Sequence, residues 1–378
     1  MERVITRRNA LRAAAIAAGG LVLSPGCALR KPYVVDPAKA GRWPRRFARV
    51  HVDAARIIRT VVGLRPFRPD GFVVRAESLG DKLLIHNYGH GGGGVTLSWG
   101  SAHLAVDELA RSSRAGAAAV LGCGAVGLAT ARLLQRRGVA VTIYARDLPP
   151  NTTSNIAGAS WFPSHVFDDA RRTPAFDAQF ERAARLAYRE FQMLVGNEYG
   201  VHWREQYFLS DTRQEAEPLS GRLPDVFPTS VEIPKHAHPF PAPFVYRDSM
   251  MFIEPSVYLA ALLRDFYIAG GRLVVRTFRE VSELSALVES VAFNCTGLGA
   301  RELFGDGEMT PVKGQLTVLV PQPEVDYAMV TNDLYMFPRT DGIILGGTFE
   351  RGVETFEPNP DAAARILAGH RRIFDGMR

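Results

Sequence analysis

Apolar residues along this chain follow two rhythms: short continuous runs, and runs that return every three to four positions. The clearest switch between them lies in mid-chain. Residues 117–121 (AAAVL) form a continuous apolar run, as expected for a strand buried on both faces of a parallel sheet. From Leu128 to Arg136 the spacing is helical, and Gly138 is placed to end that helix as its C-cap. Residues 139–144 (VAVTIY) read as a second strand. Further along, 291–297 (VAFNCTG) reads as a strand, 101–111 and 360–374 as helices, and the proline-rich run 234–243 as a loop near a pocket. No internal repeat is visible.

Between the mid-chain strand and helix, Gly122, Gly124 and Gly127 have the spacing GxGxxG. The first glycine permits the tight turn, the second lets the backbone approach a pyrophosphate, and the third lets the helix pack on the strand. Free N–H groups of the helix N-terminus face the phosphates. Asp147, at the end of the second strand, is placed to bond a ribose hydroxyl. GxGxxG alone is also met in ordinary glycine-rich turns; strand, helix, second strand and acid together make it a dinucleotide site, without separating FAD from NAD. The polar stretch Asn151, Thr152, Thr153, Ser154 and Asn155 can bond phosphate or flavin edges, or cap a helix.

Composition narrows the class without naming a reaction. With 378 residues, 47% hydrophobic and 22% charged, the chain fits two soluble globular domains. The net charge of +6 is mostly arginine spread along the chain, with no basic patch interleaved with aromatics, so nucleic acid is not expected. A positive field favours carboxylates and phosphates. Cys27, Cys123 and Cys295 give no disulfide framework; Cys123 and Cys295 read as small buried residues. His86 and His90 are four apart, but the glycines around them and the lack of a nearby acid argue against a metal site.

The N-terminus reads as a targeting segment. Arg3, Arg7, Arg8 and Arg12 precede the apolar residues 13–23, which are too few to span a bilayer and suit a signal h-region. Thr6, Arg7, Arg8, Leu11 and Arg12 resemble a twin-arginine export signal, with Ala10 where phenylalanine is usual. Cys27 after Gly26 resembles a lipid-attachment site, though Ser24 and Pro25 are atypical. The expectation is an export signal over 1–30, against a cytoplasmic protein with an N-terminal tail.

Longer motifs resemble one family. The stretches at 143–150 and 152–163, strand 291–297 and Gly346-Gly347-Thr348-Phe349 are similar to segments of the D-amino-acid oxidase family, with the acid–arginine order swapped as Arg146-Asp147. Residues 63–69 (GLRPFRP) resemble its GxRPxRP, and 85–96 (IHNYGHGGGGVT) its HNYGHGG flavin loop, with Trp99-Gly100 following. In the family these last segments lie near the C-terminus, after GGTF. Here they precede the nucleotide-binding strand, so the chain order reads as circularly permuted, with the old ends joined by the helix 101–111 and the linker 112–117 (SSRAGA). Domain termini usually lie at the surface and often close together, which makes permutation tolerable.

This resemblance, over roughly 48–375, implies an α/β, Rossmann-like FAD-binding domain (69–175 and 270–310) and an α+β substrate domain (34–68, 176–269 and 311–378). It places the substrate-carboxylate arginine on Arg65, whose guanidinium can clasp a carboxylate with two parallel hydrogen bonds. It places Gly91, Gly94, Val95 and Thr96 near the flavin and directs the Gly92 carbonyl toward the substrate amine. It adds Gly122, Gly124, Gly127, Arg146, Asp147, Thr152, Thr153, Ser154, Ala159, Ser160, Phe278 and Gly297 as FAD-binding. The family's tyrosine beside the arginine is assigned to Tyr246, chosen over Phe244 for its hydroxyl; a core aromatic is the plainer reading. Ser164 stands where the family often has tyrosine. The implied chemistry is hydride transfer from a D-amino acid α-carbon to flavin N5, giving a keto acid and ammonia, with dioxygen reduced to hydrogen peroxide. Rival readings are another FAD amine oxidase or dehydrogenase, a non-enzymatic FAD-binding protein, and an NAD-dependent dehydrogenase.

Overall fold

The computed structural model describes residues 46–112, 116–158, 160–214, 221–227 and 230–378. The arginine pair Arg7-Arg8, Cys27 and Ala159 lie outside the described residues. In chain order the strands are β1 (Ile57–Phe67), β2 (Val73–Leu79), β3 (Lys82–Tyr88), β4 (Ala118–Leu121) and β5 (Val141–Ala145). Next come β6 (Val201–Ser210), β7 (Val231–Glu232), β8 (Phe244–Ile253), β9 (Arg272–Val275) and β10 (Val291–Asn294). The last are β11 (Thr310–Leu319), β12 (Ala328–Val330), β13 (Tyr335–Arg339), β14 (Gly342–Gly346) and β15 (Glu350–Arg351). The helices are α1 (Ser98–Arg111), α2 (Ala125–Arg136), α3 (Pro174–Met193), α4 (Pro255–Ile268), α5 (Gly299–Phe304) and α6 (Pro360–Asp375).

Six strands form one sheet in the order β2-β3-β10-β4-β5-β9. All but the β2–β3 hairpin pair in parallel. Every residue of β4, β5 and β10 is buried, which explains their largely apolar composition. Helix α2 is the crossover from β4 to β5. It starts at Ala125, three residues earlier than its apolar period shows, because Gly124 already serves as N-cap. It ends as expected: Gly138 has φ +79 and donates to the Gln135 carbonyl at 2.9 Å. Leu121 and Asn294 are register partners, so the loops leaving β4 and β10 emerge side by side.

The second sheet has nine strands in the order β1-β11-β14-β13-β12-β6-β8-β7, with β15 paired to β11. It is antiparallel except where β12 runs parallel to β6. Strand β1 lines this sheet's edge, and the chain then turns directly into β2 and β3 of the other sheet. Residues 57–88 thus join the two sheets in one pass, which sets β1 beside the loops of the parallel sheet.

Helices α1, α2 and α3 pack into one apolar layer whose centre is the fully buried Trp99. Arg136 lies 4.7 Å over the Trp99 ring. At Gly100 the crossing of α1 and α3 brings backbones together: a Cβ there would sit 1.8 Å from the Ala183 carbonyl oxygen. Thr173 caps α3 by accepting the Phe176 N–H, with Pro174 at the first helical position. Cys123 and Cys295 are free and buried.

Candidate active site

The loops leaving β4 and β10 form a backbone cradle. Gly122 adopts φ +111, and a Cβ on it would meet the Cys295 carbonyl at 2.5 Å. A Cβ on Gly127 would meet the Gly122 carbonyl at 2.1 Å, so only glycine lets α2 start this close to its strand. A Cβ on Gly124 would meet nothing nearer than Ser154 Oγ at 3.1 Å: this glycine keeps space open rather than closing a contact. Ser154 Oγ accepts the Ala125 N–H at 3.0 Å, placing the 3₁₀ turn Thr153–Ile156 against the N-terminus of α2. The first turn of α2 holds no acid, so the N–H groups beyond Ala125 would be open to an anion.

Arg146 and Asp147 follow β5 and pair with each other at 2.8 Å, both well exposed. Thr152 bonds Asn155 at 2.8 Å. Phe278 packs on Tyr144 of β5, ring centroids 5.8 Å apart, and under Arg276. Ser160 faces the other way, bridging to Phe252 of β8 and bonding Gln206 of β6 at 3.4 Å. Gly297 adopts φ +59 and lies against Pro66 of β1, which carries the cradle to the strand that bears Arg65.

Residues 91–93 form a 3₁₀ turn leading into α1, with Gly91 at φ +54. Thr96 Oγ1 donates to the Gly93 carbonyl at 3.0 Å, and Val95 and Thr96 are buried behind the turn. Gly92 is exposed and donates its N–H to the His165 carbonyl at 3.0 Å. Side chains on Gly91 or Gly92 would strike the carbonyls of His165 (2.2 Å) and Ser164 (2.5 Å). The two histidine rings go separate ways: His90 bonds Ser101 at 2.8 Å, and His86 bonds Asn294 at 3.0 Å. Burial holds His90 neutral, its pKa pushed down to about 3.

Arg65 is half-buried and, among the described residues, pairs with no carboxylate; its Nη1 reaches the Thr348 carbonyl at 3.4 Å. Two glycines make its place. A Cβ on Gly314 of β11 would sit 2.5 Å from Arg65 Nη2, and one on Gly346 of β14 would overlap the Tyr335 ring. Arg65 and Tyr335 therefore extend toward each other over a lane without side chains. Burial raises the Tyr335 pKa, an effect the Arg65 guanidinium partly offsets. His370 of α6 holds this strand from behind through the Tyr335 carbonyl at 3.1 Å.

The tyrosine assignment is thus corrected. Tyr246 lies on β8, six strands from β1, on the order of 25–30 Å away at ordinary strand spacing, and its hydroxyl accepts the Gln214 N–H at 2.9 Å. Tyr335 fills the position beside the arginine. It precedes GGTF by one hairpin and pairs in register with Gly346, a relation that only the β13–β14 pairing reveals.

The family model described as "FAD dependent oxidoreductase" matches residues 9–108 and 117–378. The chain belongs to the FAD dependent oxidoreductase family. It is 31% identical to the D-amino-acid oxidase of Streptomyces coelicolor over 266 residues, covering 67% of this chain and 76% of the relative. It is 32% identical to the D-amino-acid oxidase of Rubrobacter xylanophilus over 265 residues, covering 66% and 74%. Among solved structures it resembles glycine oxidase from Geobacillus kaustophilus with a TM-score of 0.53 and 18% identity, over 69% of this chain and 79% of that one.

The cofactor of this FAD dependent oxidoreductase is FAD, and the residues present fit it. The glycine cradle at 122–127, which side chains at Gly122 or Gly127 would destroy, and an α2 N-terminus without an acid suit a pyrophosphate. Asp147 closes the second strand where a ribose hydroxyl would lie. The side-chain-free turn 91–94 would let a flat ring approach the backbone closely.

Proposed function

We propose that this oxidoreductase deaminates a D-amino acid, converting substrate, dioxygen and water to a keto acid, ammonia and hydrogen peroxide. One observation carries the reading: an arginine with no carboxylate partner among the described residues, laid over Gly314 toward a tyrosine that lies over Gly346 of the same sheet. A planar guanidinium fork binds a carboxylate with two parallel hydrogen bonds, and the Tyr335 hydroxyl adds a third. Bound FAD supplies the two-electron acceptor. Arg65 and Tyr335 fix the substrate's carboxylate end, so that its α-carbon is oriented before it reacts. Gly92 is exposed at the turn, where its carbonyl is available to a substrate ammonium. The curated relatives named above support this substrate class. The likeness to glycine oxidase keeps a second reading in view, oxidation of glycine or a secondary amine.

The test is a product balance. With D-alanine, D-leucine, D-phenylalanine, glycine and L-proline, the D-amino acids should give equal amounts of keto acid and peroxide. Turnover of glycine or L-proline alone would replace this reading with the second. Turnover without peroxide would mean an electron acceptor other than dioxygen.

The same proposal includes a circularly permuted chain order. Its support is that the family match breaks between 108 and 117, and that the first and last described segments lie together: Arg49 bonds the Met377 carbonyl at 2.8 Å, and Arg371 the Val52 carbonyl at 3.1 Å. A chain running from 116 to 378 and then, through a short linker, 46 to 112 should fold and bind FAD; failure to do either counts against it. Export by the N-terminal segment, with Cys27 as lipid anchor, is proposed on the residue pattern alone; replacing Arg7-Arg8 by lysines should trap the protein in the cytoplasm.

A further inference from the structure

Resting on the reading of Arg65 as the carboxylate site, we propose that His165 and Phe349 form the wall that receives the substrate side chain, and that they select large uncharged side chains over small or acidic ones. His165 is the only non-glycine among the described residues at positive φ, +53. Histidine tolerates that conformation better than most residues, yet it costs energy, and such strain gathers at working sites. Here it is locked by contact with the flavin-loop turn, since the His165 carbonyl takes the Gly92 N–H. The lock aims the ring at Phe349, ring centroids 4.4 Å apart and planes 30° from parallel. Phe349 also lies within reach of the Arg65 guanidinium, 5.9 Å from its ring centroid. One aromatic pair is therefore fixed between the carboxylate clasp and the turn that meets the flavin.

The wall is also incompletely covered. Phe349 is 43% exposed, unusual for a large aromatic next to a buried sheet. A substrate anchored at Arg65 would lay its side chain on these rings, and aromatic or branched groups gain most from such contact. Two basic side chains beside these rings, Arg351 and His165, offer a second carboxylate little. Arg351 is held by both oxygens of Asp168, at 3.1 and 2.8 Å, and covers Phe67. Burial of its ring and then the Arg65 charge lower the His165 pKa and so disfavour its cationic form.

The experiment uses FAD-loaded protein and two readouts. One is kcat/KM for D-phenylalanine, D-alanine and D-aspartate. The other is equilibrium binding, by titration calorimetry, of benzoate and acetate, carboxylates with no oxidisable amine. The proposal expects D-phenylalanine to exceed D-alanine at least tenfold, and D-aspartate to be the poorest. His165→Asn, which keeps a residue tolerant of positive φ, should lower kcat/KM for D-phenylalanine about tenfold, mainly through KM, and weaken benzoate similarly. D-alanine and acetate should change less than twofold. Phe349→Ala should do the same and serves if His165→Asn folds poorly. Equal losses on all ligands, an unchanged ratio in a folded variant, or preference for D-aspartate would overturn the proposal while leaving Arg65 as the clasp. If the unaltered protein binds neither carboxylate and oxidises no amino acid, the proposed function itself falls.

Discussion

Gly314→Ala should separate folding from substrate binding. Gly314 sits mid-strand in β11, opposite Gly63, without a positive φ, so alanine suits its backbone. The added Cβ would lie 2.5 Å from Arg65 Nη2 and 2.6 Å from Cζ and Nη1. Ordinary contact is about 3.5 Å, so the guanidinium must retreat by roughly 1 Å. The atoms that move are the far end of a flexible side chain, which leaves the sheet intact. The clasp suffers instead: hydrogen bonds to charged groups are worth about 1.5–3 kcal/mol each. Losing one of two is a fall of about 10- to 100-fold in kcat/KM, at 1.4 kcal/mol per factor of ten. The assay is steady-state oxidation of the best D-amino acid, alongside flavin content and melting temperature. Unchanged flavin and melting with a raised KM is expected. An unchanged KM in a folded variant would refute the geometry of the clasp.

Tyr335→Phe should raise KM several-fold with FAD retained, whereas Tyr246→Phe should leave KM unchanged and cost about 1 kcal/mol of stability through its bond to Gln214; paired kinetics and melts distinguish them. Gly124→Ala should fold, since its Cβ meets only Ser154, but weaken FAD about tenfold or more in equilibrium dialysis; Gly127→Ala, driven against the Gly122 carbonyl, should lower the melting temperature as well. Gly100→Ala forces a methyl into the Ala183 carbonyl and should destabilise the fold by about 3 kcal/mol in urea unfolding. Burial holds His90 and His238 neutral, with pKa values near 3 and 4 against an ordinary 6.5. Between pH 6.5 and 4 the unfolded chain therefore binds protons that the folded chain does not, and stability falls on acidification by about 1.4 kcal/mol per pH unit for each histidine; a melting temperature flat from pH 7.5 to 5 would contradict this.

The parallel sheet was legible because burial on both faces leaves a plain mark. Residues 117–121 and 291–293 are continuous apolar runs, and Gly122, Gly124, Gly127 and Gly138 each hold a position that a side chain would spoil or strain. Local rules place such residues. The pairing of Arg65 with Tyr335 was not legible, because it depends on strand order: three strand spacings and two glycine faces bring together residues 270 positions apart. Counting along the chain lands on Phe244, and preferring its neighbour Tyr246 for the hydroxyl cannot reveal that β8 lies beyond β13 in the sheet. His165 was missed for a similar reason. Nothing in WFPSHVF marks a positive φ, which arises only where the segment meets the flavin-loop turn.

The most direct test of the whole account is a visible spectrum of the purified FAD-loaded protein, followed by anaerobic addition of D- and L-amino acids in turn. The account predicts a flavin spectrum that bleaches with D-amino acids and not with their L-forms, and that does not bleach with D-amino acids when Arg65 is replaced by alanine. A flavin spectrum that no amino acid bleaches, or one bleached equally in the Arg65→Ala variant, would contradict it.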